Sequence, residues 1–168
     1  MKSLILTWLL LIVGIGYGIE SHSTYSANPQ AKSENSLTPA DEDDIREAVF
    51  RYQFDHNASA QQQNAKVYFL SLGKAKDPSD LFMLRFRGHK PSVKKGSHAG
   101  GKGEVIDNKT GERGLIFYAT SIKQIDENEV EVEGGYYEAG LSSSGNTYTV
   151  KRKENKWVVT KDKLRWIS

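Results

Sequence analysis

The sequence predicts an α+β fold in which a long N-terminal helix packs on a curved antiparallel β-meander, with a short second helix. Three observations support this prediction. A strongly capped amphipathic segment begins at residue 38, and a pattern of period two with short polar turns runs from residue 104 to residue 167. The stretch 38–168 is long enough to bury one core and contains no internal repeat, so we expect a single domain.

The N-terminal helix begins at clear local signals. Thr38 can cap the helix, Pro39 suits its first position, and Asp41 lies three residues after the cap, near the positive end of the helix dipole. Apolar side chains then recur at helical spacing and predict one buried face: Ile45, Ala48, Val49 and Tyr52. The helix is predicted to end near residues 56–57.

Two further elements are predicted before the meander. Residues 66–72 have the apolar character of a strand, which Gly73 stops, and residues 77–80 form a second helix start. The second helix is short because Gly88 ends it. Residues 88–103 contain Pro91 and many glycines, so they are predicted to form an irregular loop.

The meander is predicted from alternating strands joined by short turns. The predicted strands are residues 104–107, 114–125, 129–141, 146–153 and 157–167, with residues 142–145 as one of the turns. Gly134 and Gly135 fall inside the third of these strands. Paired glycines within a strand predict a bulge or sharp bend, which would let the sheet curl around the helix.

This order of elements resembles the cystatin-like or nuclear-transport-factor-like architecture. Residues 148–159 are similar to the closing hairpin of such domains, and residues 47–54 and 130–140 resemble small exported bacterial proteins of unassigned function. The resemblance covers residues 38–168. It implies a fold but no single function, because the architecture includes enzymes, binding modules and inactive scaffolds. The Gln-x-Val-x-Gly loop of the peptidase-inhibiting cystatins does not occur in the chain.

The first residues predict the compartment. Lys2 precedes an apolar run over residues 4–18, which is the layout of a signal peptide, and the run is shorter than the roughly 20 residues of a membrane-spanning helix. We interpret residues 1–18 as a signal peptide or an uncleaved N-terminal anchor, and residues 19–37 as a flexible linker. The protein is therefore expected to be exported to the periplasm or the cell exterior, with tethering by residues 4–18 as an alternative.

Composition argues against several classes of function. The chain has no cysteine, which removes thiol catalysis and thiolate metal sites, and its net charge of +2 does not indicate nucleic-acid binding. Residues 96–103 approach the phosphate-binding loop, but Gly103 stands where that loop needs Ser or Thr. The histidines have no metal-ligand spacing. We therefore expect no cofactor and no metal.

A basic segment offers one possible interaction surface. Between residues 85 and 102 no acidic residue occurs, and the cations are Arg85, Arg87, Lys90, Lys94, Lys95 and Lys102. These side chains can meet an anionic envelope component or an acidic protein, but a solvated loop is the simpler explanation because charge runs are common on protein surfaces. Acidic residues dominate 126–138, and a charge ladder from Glu129, Glu131 and Glu133 to Lys151 and Lys153 is expected.

A second possible site is a pocket between helix and sheet. Its candidate residues are His56, Tyr136 and Tyr137, and the neighbouring Asp55 could orient His56 as a general base. Adjacent helix residues point about 100° apart, which disfavours the Asp55–His56 pair. Aromatic residues of the meander are also typical of a core between sheet and helix.

Together these observations favour an exported, non-catalytic binding or interaction domain of the cell envelope. The alternative is a small-ligand pocket protein or enzyme of the nuclear-transport-factor-like type. A filled aromatic core between helix and sheet favours the first hypothesis. A deep polar cavity that contains His56 or Tyr136 favours the second.

Overall fold

A computed structural model describes residues 36–60 and 62–168. The predicted signal segment 1–18, and the predicted linker up to residue 35, lie outside the described residues. The architecture is α+β, with a mostly antiparallel mixed sheet and two helices, one of them long. No helix of the described part of the chain is long and apolar enough to cross a membrane.

The long helix, α1, spans Pro39–His56, as its local signals predict. Thr38 and Asp41 form a capping box: the Thr38 hydroxyl oxygen accepts from the Asp41 N–H at 3.1 Å, and the Asp41 carboxylate accepts from the Thr38 N–H at 3.1 Å. The short helix α2, Asp80–Met83, begins at Ser79, which caps the N–H of Phe82. Both helix starts are thus fixed by residues close in sequence.

Eight strands complete the described structure. They are β1 (Val67–Ser71), β2 (Ser92–Lys95), β3 (Ala99–Gly100), β4 (Ile106–Asp107), β5 (Gly114–Gln124), β6 (Glu129–Ala139), β7 (Ser142–Lys153) and β8 (Lys156–Ile167). The main sheet has the order β2-β1-β5-β6-β7-β8, and β3 pairs with β4 in a separate two-stranded ladder. Consecutive strands from β5 to β8 pair antiparallel.

The sheet is mixed, not purely antiparallel, because β1 pairs parallel with both β2 and β5. The prediction of an irregular loop over residues 88–103 is therefore wrong, because this stretch contains β2 and β3. Strand β1 is buried on both faces and needs a neighbour on each side to satisfy its backbone. β2 supplies one neighbour, but Val93 is its only large apolar residue, so it carries no strand pattern of its own.

One hairpin turn lies earlier than predicted. The β6–β7 turn is at Gly140 and Leu141, and residues 142–145 belong to β7, not to a turn. The small residues of this stretch are needed inside the sheet, because a Cβ on Gly145 would lie only 2.5 Å from Cε2 of Trp166. The small, turn-like residues at 142–145 are therefore part of a strand over which a large side chain packs closely.

A β-bulge interrupts the sheet beside the paired glycines. Ala119 pairs with Gly134 and Ile122 with Val132, so two residues of β5 lie opposite one residue of β6. The bulge predicted from Gly134 and Gly135 therefore falls on the neighbouring strand. Because Gly134 and Gly135 have no side chain, large side chains can pack against the sheet at these positions from both faces.

The core contains two apolar clusters. The larger joins α1 and α2 to one face of the main sheet and includes Ile45, Phe50, Phe54, Phe82, Leu115, Phe117, Val132 and Tyr136. The smaller covers the other face of β1 and includes Val67, Phe69 and Val105. We call the sheet face that contacts α1 the inner face, and the opposite face the outer face.

Candidate functional site

Aromatic rings fill the contact between α1 and the inner face. The Phe54 ring centroid lies 5.0 Å from that of Tyr68, 5.2 Å from that of Phe117 and 5.8 Å from that of Phe86. These are the distances of edge-to-face and tilted packing in a protein interior. The rings occupy the volume in which a ligand pocket between helix and sheet would lie.

The structure does not bring the predicted pocket residues together. Tyr136 is 2% exposed and belongs to the large inner-face cluster, whereas Tyr137 packs against the small cluster on the other face. Neighbouring residues of a strand point to opposite faces, so these two side chains cannot line one pocket. His56 is exposed at the end of α1 and stacks on Tyr52, with ring centroids 4.3 Å apart.

Among the described residues, no carboxylate forms a hydrogen bond with His56 as a general base would need. Its Nδ1 lies 3.1 Å from the carbonyl oxygen of Tyr52, a contact within the last turn of the helix. Cationic histidine at a helix C-terminus is favourable without any catalytic role. Within the described ranges, no group of three or more His, Asp or Glu side chains could hold a metal ion.

Three cations of the basic segment are held in ion pairs. Arg85 contacts Asp44 at 2.6 Å and Glu47 at 2.8 Å, which fixes α2 and the following turn to α1. Lys95 contacts Asp80 at 2.7 Å. Lys94 pairs with Asp107. The acids come from α1, α2 and β4, so the sequence between residues 85 and 102 does not reveal them.

The other three cations are exposed. Arg87 and Lys90 flank Gly88, and Lys102 lies between the short strands β3 and β4. None of them forms an ion pair with a carboxylate of the described residues. The positive surface offered to a partner is therefore Arg87, Lys90 and Lys102, which we call the free cations.

Asp107 is a buried carboxylate with several donors. The Lys94 ammonium and the N–H of Lys109 hold the pKa of Asp107 at about 2, below its ordinary value of 3.8. This arrangement joins β2 to β4 and anchors the segment that carries the free cations. The Lys94 ammonium is thus engaged by Asp107 within the fold.

We expect the stability of the domain to fall at acidic pH through Asp107. Because its pKa is lower in the folded than in the unfolded state, its stabilising effect is complete above pH 3.8 and disappears as the pH falls through about 2. Thermal unfolding measured at several pH values should show this loss, and Asp107→Asn should reduce the slope. Asp55→Asn, at an exposed acid of α1, is the control. An unchanged slope in Asp107→Asn would contradict the assignment.

The acidic strand β6 carries only part of the expected charge ladder. Glu129 pairs with Lys151 at 2.7 Å across β6 and β7. Glu131 and Glu133 instead lie opposite Thr149 and Thr147. The ladder prediction is wrong for Lys153, which lies opposite Lys156 in the hairpin between β7 and β8.

An outer-face groove was not predicted from the sequence. It has a volume of about 340 Å³, and Tyr118 and Trp166 lie on its two sides. The Tyr118 hydroxyl donates to the carbonyl oxygen of Ser144 at 2.6 Å, and Trp166 is 51% exposed. The groove depends on pairing across four strands. The only local signals for it are the glycines at 134, 135 and 145.

Comparisons with known proteins identify no relative: no protein-family model, curated protein or solved structure matches the chain. The geometry of the described residues is therefore the basis for assigning a function. It consists of a filled aromatic interface, a set of free cations and an outer-face groove.

Proposed function

We propose that the protein is an exported, non-catalytic binding or interaction domain of the cell envelope. The filled aromatic contact between α1 and the sheet carries the proposal, because an internal ligand pocket of the nuclear-transport-factor-like type needs that volume. The layout of residues 1–18 supports export. Binding would then take place on the surface of the domain.

The finer architecture belongs to the same proposal. We propose that the sheet curves around α1 as in the cystatin-like or nuclear-transport-factor-like architecture. The bulge of β5 between Ala119 and Ile122, and the register shifts between β7 and β8, support the curvature. The Gln53 amide supports the helix position, because it donates from α1 to the carbonyl oxygen of Tyr118 at 3.0 Å.

The separation of the pocket residues argues against the enzyme alternative. His56 is at the exposed end of α1, Tyr136 is in the inner-face core, and Tyr137 is on the outer face. General acid–base catalysis needs such groups within hydrogen-bond reach of one substrate. A non-catalytic domain accounts for this arrangement more simply.

The partner is proposed to be an anionic component of the envelope, met by the free cations Arg87, Lys90 and Lys102. Each basic side chain near an anionic lipid surface contributes on the order of 1 kcal/mol to binding, and salt screens this attraction. The three ion-paired cations would contribute less to this binding, because carboxylates already neutralise Arg85, Lys94 and Lys95.

Fractionation of cells that produce the full chain tests the proposal. We expect to find the wild-type protein outside the cytoplasm. It should sediment with the envelope at low salt and be released from it at high salt. The variant R87Q/K90Q/K102Q should be exported equally but bind the envelope roughly a hundredfold more weakly at low salt, because three attractive charges are lost. The matched control is K66Q/K76Q/K153Q, which removes the same charge from other exposed positions.

Each part of the proposal has its own contrary outcome. Recovery of the full chain from the cytoplasm would contradict export. Unchanged sedimentation of R87Q/K90Q/K102Q, or an equal loss in the control variant, would contradict a specific role for the free cations. Turnover of common hydrolase substrates that His56→Ala abolishes would contradict the non-catalytic assignment.

A further inference from the structure

We propose that the outer-face groove binds a sugar ring of a neutral polysaccharide. The groove is formed by one row of residues that crosses four strands. Tyr118 of β5 pairs with Gly135 of β6, Gly135 pairs with Gly145 of β7, and Gly145 pairs with Trp166 of β8. Residues paired across strands share a face, so two aromatic side chains stand on either side of two glycines.

The glycines allow both aromatic side chains to lie close to the sheet. A Cβ on Gly145 would be 2.5 Å from Cε2 and 2.9 Å from Cζ2 of Trp166, and a Cβ on Gly135 would be 2.7 Å from the Tyr118 hydroxyl. The indole of Trp166 therefore lies across Gly145 and remains 51% exposed. A half-exposed aromatic ring held against the backbone is a rigid apolar platform for a ligand with a flat apolar face.

Hydrogen-bond donors and acceptors both surround these rings. Glu133 offers a carboxylate, Arg165 offers a guanidinium, and Thr120 and Thr147 offer hydroxyl groups. The Ser121 hydroxyl donates to the Glu133 carboxylate at 3.0 Å, which orients one of its oxygens. The lining thus combines donors and acceptors, and the charges of Glu133 and Arg165 cancel.

This combination indicates a neutral polyhydroxyl ligand. A sugar ring presents a face of C–H groups that can stack on an aromatic ring, and its hydroxyl groups need both donors and acceptors. Glu133 offsets the attraction of Arg165 for an anionic lipid or phosphate, and an apolar chain would cover both charged groups without offering either a hydrogen bond. A volume of about 340 Å³ lies at the lower end of the range of small-molecule sites.

The inference goes beyond the proposed function and rests on it only for the compartment in which such polymers occur. It concerns a surface other than the free cations. Saccharide binding by a purified protein that is not exported would leave this inference standing while the proposed function fails. Export without saccharide binding would give the reverse result.

Calorimetric titration of the purified full chain tests the inference. The probes are β-1,4-linked trimers of N-acetylglucosamine and of glucose, and an α-1,4-linked trimer of glucose. We expect at least one trimer to bind and Trp166→Ala to weaken that binding at least about tenfold, because stacking on an aromatic ring is lost. Gly145→Ala should weaken it similarly, since its methyl group displaces the indole without removing it.

Two variants serve as matched controls. Leu164→Ala truncates a side chain of similar exposure, 54%, on the same strand. The register shift between Gly145 and Asn146 pairs Leu164 with Asn146, so Leu164 lies on the other face from Trp166. Gly140→Ala adds a methyl group where no atom lies within 4 Å. Both should bind the trimer as the wild type does, and thermal unfolding should verify that every variant is folded.

Three results would overturn the inference. The first is that none of the trimers binds. The second is that Leu164→Ala weakens binding as much as Trp166→Ala does. The third is that Trp166 is required for sedimentation with phosphatidylglycerol vesicles but not for any trimer, which would assign the groove to a lipid surface.

Discussion

Phe50→Ala is expected to destabilise the domain by about 3–5 kcal/mol, the range for truncation of a fully buried phenylalanine. Phe50 is 0% exposed, and its ring packs edge-on against Phe82 at 6.1 Å and Phe86 at 6.4 Å. The lost stability combines the transfer free energy of the removed ring with the cost of the cavity left between α1 and α2. Small domains are stable by only about 5–15 kcal/mol, so a large part of the folding free energy would disappear.

Urea denaturation followed by circular dichroism would measure this effect. Leu81→Ala is the control, because Leu81 lies next to Phe82 in α2 but is 75% exposed; its expected change is within about 0.5 kcal/mol. A loss for Phe50→Ala no larger than that for Leu81→Ala would mean that the contact between α1 and α2 is loosely packed. That result would reopen the hypothesis of an internal pocket.

The elements that the sequence predicts best are those fixed by nearby residues. The start of α1 follows from Thr38, Pro39 and Asp41, which act within one helical turn. The strands β5, β6 and β8 follow from their alternation. Strand β2 could not be predicted in this way, because it exists through its pairing with β1, a neighbour far along the chain.

The surfaces were harder to predict than the elements. The basic segment is visible in the sequence, but the acids that neutralise half of it come from α1, α2 and β4. The outer-face groove depends on strand register, which places Tyr118 and Trp166 in one row. A sequence pattern gives the face of a residue within its strand but not its neighbours on other strands.

Gly134→Ala is expected to destabilise the domain by about 1–3 kcal/mol, because the sheet has no room for a side chain at this position. A Cβ there would lie 2.5 Å from the carbonyl oxygen of Tyr118, 2.9 Å from the Gln53 amide nitrogen and 3.1 Å from the Tyr148 ring. The first of these atoms belongs to the backbone, so β5 itself must move. The Gln53 amide, which donates to both neighbours, would be displaced with it.

Urea denaturation and amide hydrogen exchange would test this expectation, with faster exchange predicted at the junction of β5 and β6. The control is Gly140→Ala, which makes the same chemical change at the β6–β7 turn, where no atom lies within 4 Å. It should alter the free energy of unfolding by less than about 0.5 kcal/mol. Equal stability of the two variants would contradict the close approach of α1, β5 and β6 at Gly134. It would also remove the main support for the position of Gln53 between helix and sheet.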